Sequence, residues 1–549
     1  MLDPPEPKSP TEPLDLQRKV AAIMGGERPS EPTYPYVTPD YQLPFVHIGA
    51  ERQLFLDNFM LDHLDGVVRR FPTPHRPDEP VLEVGDLPWE NPAYANPAPS
   101  AALFDPADQK FKLWYIQSMT GDPFNTGQVL CYAESTDCLH WQKPLSDLCL
   151  PYQGHKATNI VAQDASAVTV VLNHDQRDPQ RKFLMLNCPY GAAKSRGLRI
   201  MSAVAVSPDG LRWTTISEDS PSRHQHGNQI LWDAAIQKWV GYGQYSHHWN
   251  FLHRKRHIGR QESSDFIHWS PREVVISVDN QPDLPPNLEF HEMSVRKIGG
   301  LYIGITGEFM AEPVWNVRND SNWRDQAQVK LGLYVSRDGR QWQRVGGPQP
   351  WVDNRGPGSI DYGYLCATAG GQLLHNGKTH ILYLACPDKQ SWYAHPPPTP
   401  MVPESTYSEG KRAWEQLGQI MGQYPRRRRA TGVLILREDG WAELKPTYEQ
   451  GRVITRQFVF EGTALRVNAD AYSGYLRVEA LDPYFKPYPG FSADECDPIY
   501  SDDPQRIWHR VTWQGNVDVR ALWNKPVRLI FHLHQASLYA FQFLQENPS

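Results

Sequence analysis

A short skeleton, Ser-x-Asp-x-x-x-Trp, recurs along this chain at Ser135/Asp137/Trp141, Ser207/Asp209/Trp213, Ser263/Asp265/Trp269 and Ser336/Asp338/Trp342. A degenerate copy, Leu436-Arg-Glu-Asp-Gly-Trp441, follows. The tryptophans are 72, 56, 73 and 99 positions apart, so each interval has room for one four-stranded unit. An alternating apolar run precedes each copy, such as Gln128-Val-Leu-Cys-Tyr132 or Val329-Lys-Leu-Gly-Leu-Tyr334. That pattern predicts a strand, an Asp/Gly turn and a Trp-led strand. Repetition on this scale is the signature of a propeller, and five copies predict five blades.

Hairpins alternate with the Trp copies. They span Ala102–Tyr115, Ala167–Leu186, Gln229–Tyr242, Met293–Ile305 and Gln372–Ala385, with polar turns at Asp105-Pro-Ala-Asp108, Asp175–Pro179, Asp233, Gly299-Gly300 and Asn376-Gly377. Each blade therefore reads as first strand, turn, second strand, connection, third strand, Trp turn, fourth strand. In an antiparallel blade this order collects both kinds of short turn on one face. The starts of the first strands and the long connections fall on the other. The Asp of the Trp motif is then expected to cap a turn and the Trp to pack between blades. The connections Ser118–Thr126, Pro189–Arg196, Tyr245–Arg260, Gly307–Gln328 and Pro387–Thr431 mark the opposite face as the place for function.

The rest of the chain divides around this repeat. Residues 1–45 read as a Pro-rich arm, 46–443 as the five-bladed β-propeller, and 444–549 as an all-β sandwich of alternating strands. With 549 residues there is enough chain for both cores. The net charge of −7 argues against nucleic acid as the partner. The seven cysteines are odd in number and scattered in strand-like runs, which predicts buried free thiols and not a disulfide framework. No apolar run is long enough to span a membrane, and the N-terminus lacks the apolar stretch of a secretory signal. A cytoplasmic location is the default expectation.

If the first strands ring a pore, acids at their starts can converge. The candidates are Asp164, Glu289, Glu292 and Asp361, with Glu308 at the end of a second strand and Glu90 just before blade I. Paired carboxylates are what glycoside hydrolysis needs, one to protonate the leaving oxygen and one to activate water or attack carbon. Histidines gather in the same places: His224, His226, His247, His248, His253, His257 and His291. Their spacing does not match a zinc motif, so they are expected to contact substrate; no cofactor is called for, with a divalent ion in the pore left open. Arg254, Arg260 and Arg426–Arg429 make the rim basic, which suits a sugar carboxylate, and Trp249, Trp315, Trp323 and Trp392 could stack on sugar rings.

The Ser-x-Asp-Gly-x-x-Trp turns and the Asp-Pro hairpins at Asp105-Pro106 and Asp178-Pro179 resemble the clan of five-bladed propeller glycoside hydrolases, the invertase, arabinanase and levansucrase type. Leu54-Phe-Leu-Asp57, Ile258-Gly-Arg-Gln-Glu-Ser263, Leu476–Asp482, Pro489-Gly-Phe-Ser492 and Leu538–Phe543 are similar to uncharacterised propeller proteins related to family 32, which carry a C-terminal sandwich. The resemblance implies sugar substrates. Of the acids it implies on three consecutive first strands, only Asp164 falls at a matching place.

The expectation is thus a glycosidase acting on an oligo- or polysaccharide, acidic sugars included. Asp164 would orient or stabilise, Glu292 would be the general acid and Asp361 the base or nucleophile, with Glu308 and Glu289 as further acids. His226, His247, His291, Arg254, Trp249 and Glu90 would contact the sugar. The alternatives are a polysaccharide lyase using a rim His or Tyr (Tyr245, Tyr362) beside a uronate, and a non-catalytic binding propeller. The expected partners are a carbohydrate and, in a homo-oligomer, further copies of the chain.

Overall fold

A computed structural model describes residues 45–90, 97–118, 128–189, 195–196, 202–218, 229–247, 255–285, 288–310, 328–366, 371–387, 429–503 and 506–545. The Pro-rich arm and most of the 387–431 connection lie outside the described residues. Among these residues, no helix is long and apolar enough to cross a membrane.

The expected blades form. Blade I is Ala98–Asp105, Lys110–Ser118, Gln128–Ser135 and Ile160–Gln163; blade II is Thr169–Leu172, Phe183–Asn187, Ala203–Ser207 and Thr214–Ser217. Blade III is Gln229–Asp233, Lys238–His247, Lys255–Ser263 and Glu273–Ile276; blade IV is Leu288–Ile298, Leu301–Met310, Gln328–Ser336 and Gln343–Val345. In blade V the first strand comes in two pieces, Tyr364–Cys366 and Gln372–His375, both paired with Lys378–Cys386, which pairs in turn with Ala430–Arg437. The first strands of blades I to IV touch in succession, those of blade V touch blade I, and hydrogen bonds join the first strands of blades IV and V, so they form a closed inner ring. Hydrogen bonds stitch that ring: Val295 N–H donates to Gln229 Oε1, and Gln372 Nε2 donates to Ser294 Oγ at 3.1 Å.

The repeated turns explain their own sequence. In blade II the Gly210 N–H donates to Ser207 Oγ, while Leu211 and Arg212 N–H both donate to Asp209 Oδ1. The indole of Trp213 then closes the turn on the Gly210 carbonyl at 3.2 Å. The residue after the Asp is left-handed in each of the four full copies: Cys138 (φ 66°), Gly210 (82°), Phe266 (67°) and Gly339 (70°). Burial pushes the Asp137 carboxyl up, but hydrogen bonds from His140 and the turn amides overcome this and hold it below the usual carboxylate range. The motif is a charged cap inside a turn.

Blade V departs from the expectation. After Trp441 the chain does not return as a fourth strand; Glu443–Pro446 pairs with Val67–Arg70 in the C-terminal domain. The outer position is taken by residues 75–82, where His75 and Ile435 exchange backbone hydrogen bonds at 2.9 and 2.8 Å and Thr431 N–H donates to the Leu82 carbonyl at 3.0 Å. An N-terminal segment thus closes the ring on its last blade. Closure by a segment remote in sequence leaves neither end of the ring as a free edge.

Residues 46–70, expected with the propeller, pair instead with the C-terminal strands. Val46–His47 runs parallel to Phe458–Val459, Gln53–Leu54 joins Ser537–Leu544, and Leu61–Asp65 joins Gln450–Thr455. The two larger C-terminal sheets enclose one core, in which Phe55, Phe458, Phe531 and Phe541 are fully buried. The reason lies in these strands' apolar residues: Val46, Phe55 and Met60 complete a core the C-terminal strands do not fill alone. The degenerate fifth turn sits at the seam between propeller and sandwich. Arg52 bonds Glu438 and Asp439 at 2.9 and 3.0 Å, and Arg437 bonds Asn468 Oδ1 at 2.9 Å. Its side chains serve the sandwich.

Gly339 and Gly347 provide a matched test, since both have positive φ (70° and 85°). A Cβ at Gly339 would lie 2.5 Å from the Tyr242 hydroxyl, whereas at Gly347 it would meet nothing within 4 Å. Gly347→Ala is expected to cost about 1 kcal/mol from backbone strain, and Gly339→Ala about 3 kcal/mol once the clash and weakened hydrogen bond are added. Denaturant midpoints of the two variants would measure the difference; equal shifts would contradict the packing account.

Candidate functional site at the inner ring

The first strand of blade IV contains a β-bulge. Phe290 pairs with Glu308 and Met293 with Thr306, so His291 and Glu292 together oppose Gly307. Consecutive residues in a regular strand point to opposite faces, and a bulge relaxes that rule. The Thr306 hydroxyl fixes the distortion by donating to the Glu292 carbonyl at 2.6 Å. Gly307 accommodates it, because a Cβ there would lie 3.3 Å from His291 Cβ.

The bulge brings His291 and Glu292 against the start of blade V. There Tyr364 and Cys366, two positions apart on one strand, share a face. The Cys366 thiol donates to Glu292 Oε1. The Tyr364 hydroxyl lies 3.1 Å from Cys366 Sγ and 3.3 Å from His291 Nε2. The other ring nitrogen, His291 Nδ1, is 3.5 Å from Cys366 Sγ and 3.9 Å from Glu292 Oε2. Glu292 is 2% exposed and Cys366 1%. Burial, and next the charge of Glu292, push the Cys366 thiol well above its ordinary range, while Tyr364 and Arg429 pull it down. Burial likewise raises the Tyr364 hydroxyl, with Cys366 and Glu292 adding to the rise and Arg429 opposing it. Both groups are therefore protonated at neutral pH. Arg429, the last residue of the tetra-Arg run, is close enough to act on both.

The other expected acids divide sharply. Glu308 is bonded by Arg344 at 2.6 and 2.8 Å and by the Tyr334 hydroxyl at 2.9 Å. Asp361, fully buried, is held by Arg355 at 2.8 Å, Arg76 at 3.2 Å and the Tyr383 hydroxyl at 2.9 Å. Glu90 accepts N–H bonds from Gly85 and Asp86 and pairs with Lys143 at 2.9 Å. These three carboxylates are joined to cations within the fold, where they cross-link strands and loops. Glu289 is buried, with Arg256 Nε at 3.8 Å.

Asp164 occupies the passage from the last strand of blade I to the first of blade II. It is partly exposed and left-handed (φ 49°), as is Ala167 (φ 46°). Asn187 clamps this passage: its Oδ1 accepts from Ser166 N–H at 3.0 Å and its Nδ2 donates to the Asp164 carbonyl at 3.2 Å. A left-handed Ala carries a conformational cost that such a clamp offsets. His247 ends the second strand of blade III. His226, Trp249 and Arg254 lie outside the described residues, as do the side chain of His247 and residues Trp315, Trp323 and Trp392.

Tyr364 and Cys366 were not singled out from the sequence as site residues. The signal was present: a Tyr-x-Cys pair at the start of a first strand puts two polar groups on one face of the inner ring.

No family model matches the chain, and no curated protein matches it. Similar solved structures include an N-acetylgalactosamine deacetylase from F. plautii in complex with blood group B trisaccharide, at 13% identity over 67% of this chain and 96% of that one, with a TM-score of 0.41. A fructofuranosidase from Schwanniomyces occidentalis is 9% identical over 85% of this chain and 98% of its own, with a TM-score of 0.37. A thermostable family-43 glycoside hydrolase is 14% identical over 56% and 88%, with a TM-score of 0.36. At these scores none of them assigns a family or an activity to this chain.

Two measurements check the site's architecture. All seven cysteines are buried and free, so a thiol reagent at pH 8 should find no fast-reacting thiol in the native chain and seven after denaturation. A rapid native reaction would contradict the burial of these groups. Removing the partner of Glu308 should strand a buried charge, so Arg344→Ala is expected to lower stability by about 3 kcal/mol in denaturant titrations.

Proposed function

We propose that this chain cleaves glycosidic bonds in an oligo- or polysaccharide, with Glu292 as the proton-transferring acid. The observation that supports this most is the contrast among the acids. Glu90, Glu308 and Asp361 each lie within 3.2 Å of a Lys or Arg nitrogen, whereas among the described residues the ion pair of Glu292 is with His291 at 3.9 Å. A carboxyl neutralised by a fixed cation is a poor proton donor. One surrounded by a thiol, a phenol and an imidazole can give up a proton and take it back. Glu292 also belongs to the inner ring, near the start of a first strand, on the face with the long connections.

Glycoside cleavage needs a second carboxylate to attack carbon or activate water. Asp164 and Glu289, at the starts of the first strands of blades II and IV, are the two acids we assign to that task. Arg256 and Arg429 open the third strands of blades III and V on the same face, and they suit a substrate bearing a carboxylate.

The Tyr364–His291 contact at 3.3 Å favours a second reading, elimination beside a uronate with this pair as base and Arg429 neutralising the carboxylate. The products distinguish the two. Hydrolysis releases reducing ends without unsaturation, and elimination leaves an unsaturated end that absorbs in the ultraviolet.

On a panel of neutral and uronate-containing glycans, Glu292→Gln is expected to lower turnover by about 100-fold or more with the fold intact. Asp361→Asn should instead lower stability, because it weakens the bonds to Arg355 and Arg76. Full turnover in Glu292→Gln would sink the assignment.

A further inference from the structure

We propose that His291, Glu292 and Cys366 bind a single zinc-class divalent ion at the inner ring, between blades IV and V. The inference rests on the reading of this cluster as the reaction centre and changes one role in it: with an ion bound, the ionised Glu292 would be a ligand, and a water in the open position would take over the proton transfer assigned to it.

Their donor atoms, one from each residue, all lie within 4.8 Å of one another. Around a tetrahedral zinc with bonds of about 2.0–2.3 Å, a sulfur and a nitrogen ligand stand about 3.6 Å apart and a nitrogen and an oxygen about 3.3 Å. Here Cys366 Sγ and His291 Nδ1 are 3.5 Å apart, and His291 Nδ1 and Glu292 Oε2 are 3.9 Å apart. Cys366 Sγ and Glu292 Oε1 are closer, joined by the thiol proton that an ion would displace. The sulfur–nitrogen spacing thus already matches a tetrahedral edge and the nitrogen–oxygen spacing is somewhat longer, while the Cys366–Glu292 pair, in contact through the other carboxylate oxygen, would have to open as an ion replaced the proton.

The surroundings suit the same ion. A zinc-bound imidazole needs its second nitrogen held by a partner, which sets the tautomer and ring orientation. Tyr364 does this, with its hydroxyl 3.3 Å from His291 Nε2, so that Nδ1 is left facing Cys366 and Glu292. The bulge is what lets adjacent His291 and Glu292 face one point. A sulfur, a nitrogen and an oxygen donor select a borderline-soft ion over magnesium or calcium. With the thiol and the carboxyl both ionised, the ligands carry two negative charges, which a doubly charged ion balances in a buried place. Three protein donors leave one tetrahedral position for water or a substrate oxygen, the pattern of catalytic zinc sites.

The test uses the full-length chain stripped with a chelator, then titrated with Zn2+ by calorimetry and with Co2+ by absorption. One equivalent should bind, with a near-ultraviolet sulfur-to-cobalt charge-transfer band. Cys366→Ser should lose the band, and Cys188→Ser, at a buried free thiol just after the second strand of blade II, should keep it. His291→Gln should lose the bound equivalent and settles the matter if Cys366→Ser fails to fold. Tyr364→Phe should keep the band while weakening affinity by about 10- to 100-fold. Absence of any bound equivalent in the parent chain, or a band that survives Cys366→Ser, would overturn the proposal. Glycan cleavage undiminished in chelator by a chain that binds no ion would overturn the ion site and leave the carbohydrate reading standing. One bound equivalent with these variant effects but no turnover on any glycan would support the ion site and defeat the carbohydrate reading instead.

Discussion

The structure depends on one kind of carbonyl group. In blade II the Gly210 carbonyl accepts the Trp213 indole of its own turn at 3.2 Å and the Trp114 indole of blade I at 2.8 Å. In blade IV the Gly339 carbonyl accepts Trp342 at 3.2 Å and the Tyr242 hydroxyl of blade III at 2.8 Å. A carbonyl has two lone pairs, and here one serves the turn and the other the neighbouring blade. In these two blades, shape and packing are therefore set at the same atom. The left-handed backbone at the fourth position aims it, and Ser and Asp hold that backbone in place. Trp114 also packs edge-on against Trp213 and Phe183, so the polar join is sealed in an aromatic cluster.

Rigidity on the turn face leaves the opposite face free to carry irregular backbone. The bulge at His291–Glu292 and the left-handed residues Asp164 and Ala167 all lie near the starts of first strands. Each is backed by a specific hydrogen bond, from Thr306 in one case and from Asn187 Nδ2 in the other. The ring also brings blade V beside blade IV so that Cys366 meets Glu292 across 74 positions of sequence. Closure through residues 75–82 and the sandwich seam at Arg52 and Arg437 anchor blade V from its outer side.

Most of the blade architecture was legible because its causes are local. A Ser, an Asp two places on and a Trp four further make a turn wherever they occur, and alternating apolar runs make the strands around it. Chain closure was not legible. Residues 75–82 have no strand-like alternation, and their place is fixed by the unpaired edge of Ala430–Arg437 that they cover. Nor was the membership of residues 46–70, since an apolar strand fits either core and only the vacancy in the sandwich decides.

The acids show the same division at the level of single residues. By itself the sequence determined that carboxylates and histidines occur at the starts of inner strands, because blade order follows from the repeat. Whether a given acid is available for chemistry was decided only by the tertiary structure, through partners most of which arrive from distant parts of the chain. Arg76 and Arg355 reach Asp361, Arg344 reaches Glu308, and Lys143 reaches Glu90, while Glu292 receives a thiol, an imidazole and a neighbouring phenol. The physical reason is that a buried charge must be matched by its surroundings, and in a ring those surroundings come from whichever blade happens to lie alongside.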